Sequence, residues 1–277
     1  MTVEGTFLGI TTVDIQFILS SDLVQNRNNH VNSVITDIGG MATNAAITFQ
    51  MLGGKSTLVS HVGLSDFSNL ILNKFKKYGL KHIDLSQNKK KKPTISTIIT
   101  HPNGERTILT KYVDQLSDSY FSIPSSANII LADNSNSFIL TKLTKINSTI
   151  PIVLDIDDLC FDDELKFNRN SIIIASENGY LKLNGKIKEF MSRYTINKLV
   201  FTRGEKPILY YTKNEIGEIP IERINSIDTL GAGDIFHGAF CYYYLKNNSF
   251  KSSIINASKV ASISCKFIGT REWINHI

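Results

Sequence analysis

The chain is poor in cysteine. Its three residues, Cys160, Cys241 and Cys265, lie far apart among 277 and form no CxxC pair. That excludes a disulfide framework and a zinc cage built on thiolates. Six histidines (His30, His61, His82, His101, His237, His276) show no ligand spacing either, so no metal cage is expected. No apolar run approaches the roughly 18 residues that cross a bilayer, and no membrane partner is expected. The first ten residues lack the basic segment of a secretory signal, so a cytoplasmic protein is the expectation. Internal repeats and low-complexity linkers are absent. Two phosphate-binding patterns are missing as well. There is no GxxxxGK[ST] run, and no GxGxxG follows the first strand, where Gly9 stands alone.

Charge is also in short supply. The formal net charge of +5 is mostly the run Lys89–Lys92, and the remainder is near neutral. A nucleic-acid binder spreads basic residues over a face with aromatics among them, so no nucleic-acid partner is expected. The lysine run reads as a solvated loop or strand edge. The acidic stretch from Asp155-Ile156-Asp157-Asp158 to Asp162-Asp163-Glu164 lacks the glycine and spacing of a calcium loop and reads as solvated too.

Hydrophobic residues make up 42% of the chain, enough for a sizeable core. Short β-rich runs alternate with amphipathic stretches. Strands are expected at Thr6–Ile10, Ser56–Val62, Asn128–Ala132, Ile152–Asp155, Ser171–Ala175 and Lys198–Thr202. The later ones are almost wholly apolar, as strands covered on both faces must be. Helices are expected at Asn44–Leu52, stopped by Gly53-Gly54, and from an Asp66 N-cap to Tyr78. This alternation predicts an α/β fold, with a mostly parallel sheet between helices. Two segments break it. Asp14–Asp37 alternates polar and apolar residues without a helix, and Thr94–Thr100 with Arg106–Thr110 reads as a hairpin about Pro102-Asn103-Gly104. They predict a second, small β-sheet acting as a lid, with strands inserted at about 11–37 and 92–112 of a single domain.

The most informative stretch is Asp228-Thr229-Leu230-Gly231-Ala232-Gly233-Asp234, followed by a helix to about Asn247. Small residues at a helix start let a ligand approach unpaired amides, and the helix dipole favours negative charge there. Asp234 would repel a bound phosphate unless a hydroxyl stood between them. It is therefore placed as general base on an incoming alcohol, with the amides on the transferring phosphoryl group. Alternatively, Asp228 caps the turn and the glycines serve packing.

Asp228–Phe240 resembles the C-terminal signature of the ribokinase-like (PfkB-type) carbohydrate kinases. Gly39-Gly40-Met41-Ala42-Thr43-Asn44-Ala45-Ala46, then Gly53 and Gly63, resembles the N-terminal one. Asn103–Ile108 and Cys265–Gly269 look familial too, and the chain looks most like ketohexokinase and fructokinase-type members. The resemblance implies a three-layer αβα sandwich with a β lid, ATP and Mg²⁺ as cofactors with a monovalent cation left open, and transfer of the γ-phosphoryl group to a hydroxymethyl. It implies Asp234 as base and Gly231, Ala232 and Gly233 as the anion hole. It implies Asp14, Gly40, Met41 and Asn44 on the sugar, Arg106 reaching toward the phosphates, and Ser176, Thr202, Gly204, Asn256, Ala261 and Gly269 on the nucleotide. A homodimer through the lid follows from the same analogy.

The chain departs from the family in two places. The Asn-x-x-Glu motif that orders magnesium is replaced by Ser176 and Gly179, which leaves the metal's holders unknown; Glu177 and Asp155 are candidates through water. The TxGxxG motif ends in Pro207, which stiffens that loop. A ketose such as fructose is the first acceptor expected. The alternatives are a nucleoside, or a sugar phosphate or sulfo-sugar held by Arg27, Lys91, Lys92 and Lys111, or a non-catalytic sugar-binding relative.

Overall fold

The computed structural model describes residues 2–86, 92–111, 123–133, 141–143, 149–156, 159 and 167–277. Lys89–Lys91, Cys160, Asp157-Asp158 and Asp162–Glu164 lie outside them.

Nine strands form the main sheet. They are β1 (Glu4–Leu8), β4 (Lys55–Ser60), β5 (Lys81–Asp84), β8 (Ile129–Asp133), β9 (Ile152–Asp155), β10 (Ser171–Ser176), β11 (Lys198–Arg203), β12 (Lys206–Thr212) and β13 (Ile216–Ile219). Their order is β13-β12-β11-β10-β9-β8-β1-β4-β5. The seven from β5 to β11 run parallel, and β12 and β13 add an antiparallel edge. The apolar runs alternate between two cores. Leu131, Val153, Ile172 and Ile174 face one side, while Ile130, Leu154, Ile173 and Phe201 face the other. Both faces are covered, which is why these strands carry almost no polar positions.

On the first side lie α1 (Met41–Met51), α5 (Ala232–Asn247) and α6 (Phe250–Ser264), contributing Ala45, Phe49, Phe240 and Ala257 to the core. On the other, α4 (Ile187–Tyr194) packs Phe190 and Met191. Helices α2 (Asp66–Lys77) and α3 (Glu177–Lys182) complete the order. The N-cap of α2 is Ser65, one residue before the expected Asp66. Ser65 and Ser68 form a capping box, and the Ser65 amide donates to Ser68 Oγ at 2.9 Å. Helix α1 begins three residues before the expected Asn44, because Gly40 turns the chain with φ +93° where a Cβ would lie 2.4 Å from the Ile10 carbonyl oxygen.

The two segments that break the alternation form a second sheet, ordered β3-β2-β6-β7. Its strands are β2 (Thr12–Leu19), β3 (Val31–Gly39), β6 (Thr94–Thr100) and β7 (Arg106–Lys111). The β6–β7 hairpin pairs Ile95 opposite Lys111 and Thr100 opposite Arg106. Parallel strands β8 to β11 end at Asp133, Asp155, Ser176 and Arg203, which therefore share the carboxyl edge of the main sheet.

Candidate active site

Three chain segments converge beside that edge. The first is the start of α5. Gly231 holds φ +68°, and a Cβ there would lie 2.6 Å from Thr270 Cγ2, so only glycine makes this entry to the helix. Gly233 is exposed, and a Cβ on it would meet nothing within 4 Å. The first-turn amides of α5 lack intrahelical partners by geometry and lie at the positive end of the helix, where Ala232 N donates to the Thr229 carbonyl at 3.3 Å. Asp228 anchors the turn from behind. One of its oxygens accepts from Leu230 N at 2.9 Å, the other from Gly269 N at 2.9 Å.

The second segment is the start of α1, which packs against α5. Gly238 makes that possible, since a Cβ there would lie 2.3 Å from the Ala45 carbonyl oxygen. The close approach brings Asn44 to Asp234, and Asn44 Nδ2 donates to Asp234 Oδ2 at 2.6 Å. Burial raises the Asp234 pKa, against the Asn44 hydrogen bond and the charges of His237, Arg271 and Arg106. His237, one turn on, donates Nδ1–H to the Gly233 carbonyl at 2.7 Å, and its Nε2 stands 3.6 Å from Asp155 Oδ1.

The third segment is the inner face of the lid. Asp14 lies directly opposite Asp37 on β3. Burial pushes its pKa up to about 6, opposed by the Thr12 hydroxyl at 2.5 Å and by Arg271, and helped by the charges of Asp234 and Asp37. Asp37 is paired with Lys74 at 3.0 Å. Two residues beyond Asp14, Gln16 donates to Thr100 Oγ1 at 2.8 Å and Asp228 Oδ2 at 2.9 Å, tying the lid to the helix start. Arg106 donates from Nη1 to Thr229 Oγ1, in the turn that precedes Gly231. A cleft of about 200 Å³ runs between lid and C-terminal segment, lined by Asp14, Gln16, Asp37, Leu230, Gly269 and Arg271 among others.

Asp234, Gly231, Ala232, Gly233, Asn44, Gly40, Met41, Asp14 and Arg106 thus belong to three adjoining segments. The residues read as nucleotide-binding are more scattered. Ser176 ends β10, where its hydroxyl accepts from Asn178 N and caps α3. Thr202 lies beside it on β11, with its hydroxyl 3.4 Å from the Ala175 carbonyl, and Gly204 turns the chain with φ +61°. Asn256 and Ala261 lie on α6. Gly269 lines the Asp14 cleft.

The positions read as holding magnesium find little here. Gly179 has no side chain, Ser176 is engaged as a cap, and Glu177 pairs with Lys206 at 2.7 Å and Arg203 at 3.7 Å. Among the described residues no group of three His, Cys, Asp or Glu could hold a metal. These residues do not fit a protein-held divalent ion.

Arg271 escaped the sequence reading. Its Nη2 donates to Asn44 Oδ1 at 2.6 Å and to the Ile38 carbonyl at 2.8 Å, and Nη1 donates to the Thr270 carbonyl at 2.9 Å. A lone arginine in Gly-Thr-Arg-Glu-Trp carries no motif; its one signal is its position two residues after Gly269. Gln16 had a better signal, since residues two apart on a strand share a face with Asp14.

The chain matches the family model described as pfkB family carbohydrate kinase over residues 6–145 and 168–276. It is 24% identical to ribokinase of Lactococcus lactis subsp. lactis, across 95% of this chain and 93% of that one. It is 34% identical to deoxyribokinase of Salmonella typhi along a stretch spanning 27% of this chain and a quarter (25%) of that relative's length. The structure of Arabidopsis thaliana ribokinase complexed with ribose and ATP shares the fold, with a TM-score of 0.72 at 16% identity over 97% of this chain and 94% of that one.

Proposed function

The chain belongs to the pfkB family of carbohydrate kinases, and from that premise we propose that it transfers the γ-phosphoryl group of ATP to a hydroxymethyl of a small uncharged sugar. One observation carries the reading. A carboxylate in the first turn of α5 is held by Asn44 at 2.6 Å, beside a Gly-rich helix start and within electrostatic reach of Asp14. Asp14 and Asn44 suit a polyol, because a carboxylate and an amide each chelate neighbouring hydroxyls. Asp234 takes the proton of the acceptor hydroxyl. That oxygen bonds to the γ-phosphorus as the bond to the bridging oxygen breaks, and ADP leaves with the electron pair. The amides of the Gly231–Gly233 turn receive the charge on the migrating group. Arg106, bonded to Thr229, keeps a guanidinium near it. Magnesium is proposed to enter as the nucleotide's own phosphate complex, since the described residues offer no cage.

Charge in the cleft argues against an acidic acceptor. None of Arg27, Lys92 and Lys111 lines it. Arg271 does, but its guanidinium is already bonded to Asn44 and two carbonyls. Asp14 and Asp37 would repel a second phosphate. A ketose such as fructose and an aldopentose both meet these terms.

Homodimerisation through the lid is proposed as well. Gln16, Ile35, Ile98 and Ile108 form one cross-strand row on the inner face. Side chains alternate along strands, so Ile15, Phe17, Val34, Ile99 and Leu109 occupy the outer face. Val34 is 51% and Leu109 60% exposed, an apolar surface that a second lid would cover.

The test is ADP release with ATP and Mg²⁺ across D-fructose, D-ribose, 2-deoxy-D-ribose, a nucleoside and a sugar phosphate. Turnover of a neutral sugar in preference to the sugar phosphate is expected. Sugar binding by calorimetry without turnover of any would overturn the reading in favour of a non-catalytic relative.

A further inference from the structure

We propose that Arg271 is a positioning residue for this reaction: its guanidinium fixes the side-chain amide of Asn44 so that the NH₂ end, and not the oxygen, meets Asp234. The inference rests on the kinase reading above.

The two ends of an amide have nearly the same shape and opposite polarity. Turned one way, Asn44 donates to the Asp234 carboxylate; turned the other, it presents an oxygen to an oxygen. Arg271 decides between them, because a guanidinium has donors only and cannot lose its charge in water. Its Nη2 donates to Asn44 Oδ1 at 2.6 Å, which leaves Nδ2 for Asp234 Oδ2 at 2.6 Å. Arg271 is held in turn by the Ile38 carbonyl at the end of β3 and by the Thr270 carbonyl. Its Nε is shielded from solvent and has no hydrogen bond among the described residues. Nε therefore gives up hydration that a surface arginine would keep, a cost that the contact with Asn44 accounts for. The tie also links the lid strand to the base, because the group that orients Asn44 is fastened to β3.

The charges around Asp234 come from four elements. His237 shares its helix, Arg106 reaches in from β7, Arg271 from the C-terminal segment, and Asp14 opposes them from β2. Among the described residues Asn44, from α1, is a neutral partner that donates to it. Removing Arg271 thus takes away one cation and frees the amide to turn. Both changes disfavour the ionised base that must receive the proton.

The experiment measures kcat/KM against pH for the wild-type chain, Arg271→Met and Arg271→Lys, with ATP, Mg²⁺ and the neutral sugar turned over best. The acid limb is expected to move up by about one pH unit in Arg271→Met, so that the loss on the acid limb exceeds the loss on the plateau by up to about tenfold. Arg271→Lys keeps a charge without the fork and is expected to move it less. In the double variant with Asn44→Ala, Arg271→Met is expected to add only the part due to the lost charge, clearly less than it costs in the wild-type background. A purely structural arginine predicts the opposite on each point: a lowered melting temperature, an unmoved acid limb and additive losses. Any of an unmoved limb or additive losses overturns the proposal. If Arg271→Met does not fold, Arg271→Lys and Arg271→Gln carry the same two comparisons. A carboxyl ¹³C titration of Asp234 in the same variants needs no turnover. A wild-type chain inactive on every sugar counts against the kinase reading, whereas an Asp234 titration that stays in place counts against this inference.

Discussion

Asp14 illustrates how a carboxylate proposed to hold the acceptor is kept at a cost. Buried against Asp37 and Asp234, it titrates at about 6, against a usual 3.8. Between those values the unfolded chain has already ionised while the fold still holds the proton. Stability therefore falls as pH rises through that window, and the full cost is present above pH 6. It amounts to about 3 kcal/mol at 1.36 kcal/mol per pH unit, as an upper bound. Asp14→Asn is expected to melt higher than wild type at pH 8, with the gain shrinking toward pH 4, while sugar affinity collapses; melting curves at both pH values check it. A gain independent of pH would contradict the burial account. At this scale the sequence was most legible where a residue's chemistry conflicts with its place. An aspartate at a helix start that welcomes anions demanded a reason, and that conflict singles out Asp234 as the proposed base. Arg271 was invisible because its meaning lies in contacts with Ile38 and Asn44, both distant along the chain.

The elements that matter are the two helix starts and the lid strand over them. Helices α1 and α5 meet backbone to backbone at Gly238. Gly238→Val is expected to force them apart, costing about 1–3 kcal/mol of stability or more. It should also lower kcat, because α1 carries Asn44 to Asp234; thermal denaturation and steady-state kinetics on one preparation would test both. Unchanged turnover in a destabilised variant would separate helix packing from catalysis. The lid is latched by Gln16 on Asp228. Gln16→Ala leaves a buried carboxylate one partner short, a loss of about 1–3 kcal/mol, and is expected to raise the acceptor KM by about tenfold at nearly constant kcat. Element existence was readable from period alone: apolar runs for covered strands, alternation for the lid. Boundaries were not. The start of α1 depends on the Gly40 turn, and that of α2 on the Ser65–Ser68 box, details that hydrophobic pattern does not encode.

For the whole molecule, the lid has two faces to satisfy. Its inner face meets the cleft and its outer face carries Val34 and Leu109. If a second copy covers that face, Val34→Glu with Leu109→Glu should convert a dimer to a monomer by light scattering. A wild-type monomer at assay concentration would refute the interface. The global architecture was legible because both signatures and the strand pattern agree on one fold. How magnesium would be held was not, because Ser176 and Gly179 stand where the sequence would announce a holder. The nucleotide side is marked by separate residues on β10, β11 and α6, with no one segment to announce its shape. The central claim is that one carboxylate strips a proton from an alcohol beside the Gly-rich turn. Its most direct test is kcat of Asp234→Asn with ATP, Mg²⁺ and the best neutral sugar, alongside a melting curve. The expected result is a loss on the order of 10² to 10⁴ with the fold intact; turnover close to wild type would contradict the account.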